Sequence, residues 1–376
     1  MRSGMGSRNR PDDQRFMDVA LVLAGRGLGR VAPNPAVGCV VVRDGIIVGR
    51  GWTQPGGRPH AETEALRRAG EAARGATAYV TFEPCAHHGE TGPCAQALID
   101  AGIARVVGAM TDPDPRVCGQ GYGMLREAGV EVVDGVGAAA AHHLNEGFIK
   151  HVVENRPLVT LKIASSIDGR TATHSGESQW ITGADARNRG HLMRATTDAI
   201  MVGSTTAVVD DPDLTCRLPG LEERSPARIV ADGRLRLPLT ARLVRSAHET
   251  PVWILTQEGG DQDRRKAFQE CGVELIDVPT GAEGAMDMGA ALELIAGRGI
   301  TRLLVEGGSH LASSLMAAGL VDRIEWFQAP KVIGGDGFPA IGGFGVEKLG
   351  MAPALVRTGM VSMGEDSLLS YVVRRD

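Results

Sequence analysis

Two β-branched runs flank Asp44-Gly45 in AVGCVVVRDGIIVGRGW, residues 36–52, and no other local feature restricts the fold so tightly. A two-residue hairpin turn of the favoured hand needs positive φ at both central positions, which Asp-Gly tolerates. An antiparallel hairpin is therefore expected here. Ahead of it, DDQRFMDVALVLAGRGLG places Phe16, Val19, Ala20 and Leu23 on one helical face, with Asp12 or Asp13 available as the cap. Behind it, HAETEALRRAGEAARG reads as a helix ending in glycine and ATAYVTFEP as a strand stopped by Pro84. CAQALIDAGI and GYGMLREAG read as helices, ARVVGAMTDPDP and VEVVDGV as strands. A hairpin followed by βαβ units makes a mixed sheet covered by helices.

At 376 residues the chain exceeds what one core holds comfortably, so two domains are expected. The break falls in HVVENRPLVTLKIASSIDG, where Pro157 opens a new strand. Beyond it, strands are expected near 158–164, 199–205, 227–231, 251–255, 301–305, 323–329 and 366–373, with Gly- and Pro-rich connections such as VIGGDGFPAIGGFG. No 20–50-residue repeat is visible, which argues against a solenoid. The expected organisation is a flexible tail at 1–11, one α/β domain at 12–150 and a second at 156–376. A net charge of −5 and only 4% aromatic residues argue against a nucleic-acid binder, so a phosphate on any substrate must be met locally. No run approaches the roughly 20 apolar residues that span a bilayer. The polar start, MRSGMGSRNRPDDQ, is not a secretory signal, and six cysteines in so long a chain are not a disulfide framework. A cytoplasmic location fits best.

The cysteines then point to chemistry. EPCAHHGETGPC, Glu83 to Cys94, holds two cysteines and two adjacent histidines, and upstream PHAETEAL sets His60 and Glu62 two apart at the start of a helix. Residues two apart on a regular helix diverge by about 200°. They face one site only if His60 stands at or before the first helical position, where the sequence puts it. Cys94 follows Pro93 just before a helix, whose N-terminus favours a thiolate. One imidazole and two thiolates leave a tetrahedral zinc one ligand short; a catalytic site leaves that position to water, a structural site fills it with protein. Glu62 can take the water proton and return it to a leaving amino group. Zinc nucleobase deaminases carry H-x-E followed by P-C-x-x-C; here eight residues separate the cysteines. His87 and His88 compete for the metal, and with His60 they would close a structural site. That arrangement leaves Glu62 without a reason beyond the helix dipole, so the open set is preferred and His87 and His88 become substrate neighbours or bystanders. In APNPAVG, Pro33 and Pro35 fix φ around Asn34, whose amide both donates and accepts and so suits a pyrimidine edge, although a plain turn also uses Asn-Pro. Cys39 reads as a buried small hydrophobe. Cys118, Cys216 and Cys271 have no ligand spacing.

In the second half, TRLLVEGGSHLASSLMAAG, residues 301–319, runs a strand into Gly307-Gly308 and opens a helix at Ser309 or His310. Such a turn allows close backbone approach and turns helix N–H groups toward an anion. It is not G-x-G-x-x-G, so a standard Rossmann reading does not apply.

Taken together, PNPAVGCVVV, PHAETEAL, GATAYVTFEPCAHHGETGPC and SGESQWIT resemble the bifunctional riboflavin-biosynthesis deaminase/reductase family, RibD or RibG, over nearly all the chain after the tail. LKIASSIDGRTA, MVGSTTAVVDDPDLTCR and LLVEGG resemble its reductase half. The resemblance implies an α/β fold: an N-terminal cytidine-deaminase-like three-layer domain and a C-terminal dihydrofolate-reductase-like domain. It implies Zn²⁺ on His60, Cys85 and Cys94 with Glu62 as proton shuttle, and hydrolytic deamination at C2 of 2,5-diamino-6-(5-phosphoribosylamino)pyrimidin-4(3H)-one. It further implies NADPH reducing the opened ribose of 5-amino-6-(5-phosphoribosylamino)uracil to a ribityl chain. Cofactor contacts carry over to Ala164, Trp180, Thr206, Asp210 and the turn Gly308, Ser309, His310, Leu311, Ala312, Ser313 and Ser314. Substrate contacts carry over to Ser178, Arg194, Leu214, Arg217 and Glu306. Arg194 and Arg217 can each grip a phosphate, Glu306 can accept from sugar or pyrimidine donors, and Trp180 offers a flat face that core packing would equally explain. Lys162 and Asp168 receive no role. The implied partner is a small phosphoribosylated pyrimidine, with neither nucleic acid nor membrane; homo-oligomers are common for such enzymes, but no residue demonstrates one. The competing readings are a nucleobase deaminase with an accessory binding domain and a non-enzymatic zinc-stabilised binding protein.

Overall fold

Asp44 and Gly45 both take positive φ, 52° and 76°, and the hairpin they close pairs β1 (Gly38–Arg43) with β2 (Ile46–Trp52) in the Arg43–Ile46 register. This computed structural model describes residues 10–87, 92–281 and 284–375. The chain divides into two compact units, Met1–Asn155 and Arg156–Asp376. The expected tail falls mostly on residues 1–9, outside the described residues.

In the first unit α1 (Asp13–Ala24) precedes the hairpin. After it come α2 (Ala61–Ala69), β3 (Thr77–Val80), α3 (Cys94–Asp100), β4 (Arg105–Gly108), α4 (Gln120–Glu127), β5 (Glu131–Val133) and α5 (Ala138–Glu154). The sheet order is β2-β1-β3-β4-β5, with the hairpin antiparallel and β3, β4 and β5 parallel. Strand side chains alternate between faces, and β1 serves both. Cys39 and Val41 pack with Ala61, Ala65, Leu98 and Leu125, while Val40 and Val42 pack with Phe16, Met17, Ala20 and Ala141. Helices on both faces make the three layers. Close packing of α2 on the hairpin depends on Gly49 and Gly51, where any Cβ would strike the carbonyls of Ala65 and Ala61.

Neither expected cap of α1 acts as one. Asp12 stands at the N-cap without a side-chain hydrogen bond. Asp13 is buried and accepts two 2.8 Å hydrogen bonds from Arg105, one from the Tyr79 hydroxyl at 3.0 Å and one from the Arg10 N–H at 2.7 Å. An acid with a buried guanidinium in reach ties the helix to β4 instead of closing its end. The helix α5 also runs four residues past the expected domain edge at 150, to Glu154.

The second unit opens with β6 (Leu158–Ser166), β7 (Arg170–Ala172), α6 (Ala184–Ala195), β8 (Ala199–Gly203) and α7 (Ser204–Val209). It continues through β9 (Ala227–Ala231), α8 (Arg242–Arg245), β10 (Val252–Gln257), α9 (Gln262–Glu270), β11 (Glu274–Val278) and α10 (Met288–Ala296). It closes with β12 (Arg302–Glu306), α11 (Ser309–Ala317), β13 (Arg323–Ala329), β14 (Phe338–Pro339), β15 (Leu355–Met363) and β16 (Asp366–Val373). Nine strands form one sheet in the order β11-β10-β9-β8-β12-β6-β13-β16-β15. It is parallel from β11 to β13, and the last two strands are antiparallel. Parallel strands are covered on both faces: Val159, Leu161 and Val305 pack with Leu292 and Leu315, and Ile200, Val230 and Ile254 pack with Leu243 and Phe268.

β7, β11, β14 and β15 are absent from the expected strands. β15 is an edge strand exposed along almost its whole length, so no buried face patterns it. Among the described residues, no helix is long and apolar enough to cross a membrane.

Candidate active sites

His60 occupies the N-cap of α2 in an extended conformation, φ −69° and ψ 161°, while Glu62 lies in the first helical turn. The change of backbone at that junction lets side chains two apart meet. Cys85 follows Pro84 in the loop after β3, and Cys94 is the first residue of α3. The His60 imidazole and the two thiols lie within 4.8 Å of one another. His60 Nδ1 is 3.3 Å from Cys94 Sγ and 3.7 Å from Cys85 Sγ. Tetrahedral zinc with ordinary bond lengths sets such N···S pairs about 3.6 Å apart, so the donor set and its spacing fit that metal.

The Cys94 N–H donates to Cys85 Sγ at 3.3 Å, so the amide at the start of α3 favours the Cys85 thiolate, not the Cys94 thiolate. Hydrogen bonding from the Cys94 thiol, then from His60, outweighs burial and lowers the Cys85 thiol to about 4. Its negative neighbour and burial raise Cys94. Glu62, 3% exposed, is pushed up to about 7, first by burial and then by the Cys85 charge. A carboxyl at that value can hold or release a proton near neutrality.

His87 is exposed and stands outside this cluster, and His88 lies outside the described residues. The Asn34 side-chain amide makes no hydrogen bond to a described residue and packs over Gly57, whose φ is +87° and where any Cβ would strike it. Cys39 is fully buried, as its strand position suggests.

Sequence reasoning missed Glu83. Its buried carboxylate accepts from the N–H groups of Asp112 (3.0 Å), Gly119 (3.0 Å), Gly121 (2.8 Å) and Tyr122 (3.4 Å). It thus joins the Cys85 loop to the start of α4. The only available signal was an acid directly before Pro-Cys.

In the second unit β12 ends at Gly307 and Gly308, φ 77° and 86°, and α11 begins at Ser309. Thr206 of α7 packs across both glycines; a Cβ at either would come within 3.3 Å of its side chain. Asp210 closes α7, and burial raises its carboxyl. Ala164 lies on β6. Leu311, Ala312 and Ser313 are buried. The hydroxyls of Ser313 and Ser314 donate to the carbonyls of Ser309 (2.7 Å) and His310 (3.0 Å). Those two hydroxyls are thereby engaged within the helix, while the backbone N–H groups at its start, the Ser309 hydroxyl and the exposed His310 remain at the turn. Trp180 is 61% exposed, with the Arg187 guanidinium 4.7 Å from its ring, so it is not a core residue.

Arg194 has protein partners that the sequence did not show: its Nε and Nη2 donate to the two Glu306 oxygens at 2.8 and 2.9 Å, and its Nη1 donates to the Thr215 carbonyl at 3.0 Å. Lys162, given no role from sequence, lies 3.7 Å from Glu306. Burial alone would raise the Glu306 carboxyl, but Arg194 and then Lys162 overcome it and hold the group at about 2. The Thr215 carbonyl and the Arg217 N–H both meet His191 of α6, fixing the loop that carries Leu214. Leu214 is buried at φ +55°, Ser178 is half-buried, and Arg217 keeps a largely exposed guanidinium 3.6 Å from Asp213.

Comparison with known proteins accounts for both halves. Residues 10–110 match the cytidine and deoxycytidylate deaminase zinc-binding region, and residues 157–369 match the RibD C-terminal domain. The riboflavin biosynthesis protein RibD of Escherichia coli (strain K12) is 42% identical, with 96% of this chain and 99% of that protein covered. RibD of Aquifex aeolicus (strain VF5) is 38% identical over 96% of this chain and 98% of its own length. Among solved structures, Acinetobacter baumannii RibD, form 1, superposes with a TM-score of 0.87 at 36% identity, covering 97% of this chain and 99% of that one. A diaminohydroxyphosphoribosylaminopyrimidine deaminase/5-amino-6-(5-phosphoribosylamino)uracil reductase from Thermotoga maritima gives 0.84 at 34% identity, covering 96% and 99%. With a zinc-deaminase region ahead of a reductase domain in a single chain, matched end to end by these relatives, this protein belongs to the RibD family of riboflavin biosynthesis proteins.

Proposed function

We propose that the chain carries out two consecutive steps of riboflavin biosynthesis. The first is hydrolytic, zinc-dependent deamination of 2,5-diamino-6-(5-phosphoribosylamino)pyrimidin-4(3H)-one. The second is NADPH-dependent reduction of the ribosyl group of 5-amino-6-(5-phosphoribosylamino)uracil to ribityl. The observation that carries the reading is the three-donor cluster of His60, Cys85 and Cys94 with the buried Glu62 carboxyl beside it and no fourth protein donor among the described residues.

His60, Cys85 and Cys94 would hold the zinc, which would supply a Lewis acid for activating water. Glu62 accepts the proton of the attacking water and delivers it to the departing amine. Asn34, with its amide free, orients the pyrimidine edge. In the second unit the Gly308–Ser314 turn, Ala164, Trp180, Thr206 and Asp210 would seat the cofactor, which would supply a hydride donor. The ionised Glu306 accepts from substrate hydroxyl or amine donors, with Arg194 and Lys162 fixing its charge. Arg217, together with Ser178 and Leu214, meets the substrate, the arginine at its phosphate. A cytoplasmic location belongs to the same reading, supported by six free cysteines. So does assembly into a homo-oligomer, supported by the exposed edge of β15 with Met360 and Val361.

The test is zinc content per chain together with ammonia release from the diaminopyrimidine ribotide, NADPH being added afterwards. About one zinc, ammonia release without NADPH and NADPH oxidation only after deamination is the expected outcome. Zinc without ammonia release would make the metal structural and overturn the deaminase half.

A further inference from the structure

The residue two before Cys85 is an acid buried without a counter-ion. Glu83 is 6% exposed, and among the described residues its carboxylate meets no cation. It accepts four hydrogen bonds, all from backbone N–H groups of one downstream segment. Oε2 takes those of Asp112 and Gly119, and Oε1 those of Gly121 and Tyr122. A buried carboxylate is costly unless donors of this kind surround it.

A helix usually finds its cap among nearby side chains. The N-cap of α4 is Gly119, at φ 79° and with no side chain to offer. The cap arrives instead from Glu83, 36 positions upstream, on the segment that carries a candidate metal donor. Contact continues at Pro84. A Cβ on Gly121 would strike the Pro84 carbonyl oxygen, so α4 begins directly against the residue before Cys85.

On the far side of Cys85 the chain is held as firmly. The Cys85 carbonyl accepts from the Ala95 N–H at 3.1 Å and its sulfur from the Cys94 N–H at 3.3 Å, both at the start of α3. The three donors differ in how they are carried. His60 is the N-cap of α2 and Cys94 the first residue of α3, whereas Cys85 belongs to a loop. Zinc sites keep their bond lengths to within about 0.2 Å, a tolerance that a loop meets only when pinned on both sides. One pin is α3; the other is α4, acting through Glu83 and Pro84.

We propose that Glu83 is a positioning residue for the metal. By tying the loop to α4 it keeps the Cys85 sulfur in place 3.7 Å from His60 Nδ1, so that losing its carboxylate weakens zinc binding itself. Its side chain hydrogen-bonds to none of the three donors and acts through the backbone alone. The inference rests on the reading of His60, Cys85 and Cys94 as zinc ligands.

The test is the zinc affinity of the full-length apoprotein, measured by competition with a chromophoric chelator. Co²⁺ in place of zinc reports the metal–sulfur bonds through its thiolate-to-metal absorption. Glu83→Gln keeps the volume but turns an NH2 group toward two of the four amides. Its zinc affinity should fall about 10–100-fold, with a weakened cobalt band. Asp13→Asn, which alters another buried carboxylate of the same unit, is the control. It should lower the unfolding midpoint while zinc affinity stays within about threefold and the band is unchanged. Should Glu83→Gln lose its unfolding transition, hydrogen exchange in the wild type decides. Coupling is reciprocal, so zinc should slow exchange of the Asp112, Gly119 and Gly121 amides about fivefold or more; equal exchange with and without zinc overturns the role. Unchanged zinc affinity in folded Glu83→Gln, or equal losses in both variants, also overturns it and leaves the zinc reading standing. Failure of the wild type to bind zinc overturns both.

Discussion

The two sites of this protein are built on opposite plans. The proposed deaminase cluster draws its candidate metal donors and its acid from positions 60 to 94, on two helix starts and one loop. The reductase site gathers residues from Ala164 to Ser314, and its buried ion pair joins Arg194 to Glu306, 112 positions apart. In the first, chemistry is concentrated in side chains that have few other duties. In the second, the same groups that would meet a ligand also hold the sheet and its helices together. A site of the first kind is expected to lose activity without losing structure, and one of the second kind to lose both.

The largest effect should come from Glu62→Gln. Removing a general acid–base group lowers the rate by about 10²–10⁴-fold, and here ammonia release should fall in that range while zinc content and NADPH oxidation on deaminated substrate stay unchanged. Retained deamination in a folded, zinc-loaded variant would break the comparison at its first half.

Arg194→Ala tests the second half. Leaving the Glu306 carboxylate buried and unpaired should destabilise the second unit by about 3–5 kcal/mol. Denaturant unfolding followed by tryptophan fluorescence reads this, since Trp180, Trp253 and Trp326 all lie in that unit. A variant as stable as the wild type that had lost only reductase activity would show that Arg194 is a ligand group after all.

Acid gives a smaller, graded version of the same test. The Glu306 carboxyl is depressed in the folded state, to about 2 from an ordinary 4.5. The stability it contributes is therefore fully present above pH 4.5 and is lost as pH falls from there toward 2. A shift of that size corresponds to about 3 kcal/mol. Comparing stability from pH 6 down to pH 3 in the wild type and in Glu306→Gln should show a steeper decline in the wild type; parallel curves would remove the pair from the account.

Arg217→Ala should have the least effect on stability, about 1 kcal/mol or less, because its ion pair with Asp213 is exposed. Its mark should be a raised KM for the phosphorylated reductase substrate with kcat nearly unchanged. An unchanged KM would take Arg217 out of the phosphate site.

Much of this arrangement was legible before any coordinates. Asp44-Gly45 announced its hairpin because few residues take two consecutive positive φ values, and His60 with Glu62 required a helix to begin between them. Backbone sterics and short spacings act over a few residues, so they are written in the sequence. The pairing of Arg194 with Glu306 was not legible, for the complementary reason. A lone arginine on a polar helix looks like a free cation, and its partner becomes apparent only when β12 is placed beside β6 and within reach of α6. Glu83 escaped notice in the same way, since its four amide donors lie 29 to 39 positions downstream.

By itself the sequence determined the alternation of elements, the hairpin, the candidate metal donors with an acid near them, and the likeness to a two-activity family. Tertiary structure alone decided which buried acid is pushed up and which is held down. Burial raises Glu62 beside a thiolate, whereas Arg194 and Lys162 hold Glu306 down although it too is buried. The residue type is the same in both places; desolvation and the sign of the nearest charge, which depend on what packs around each carboxyl, separate their chemistry.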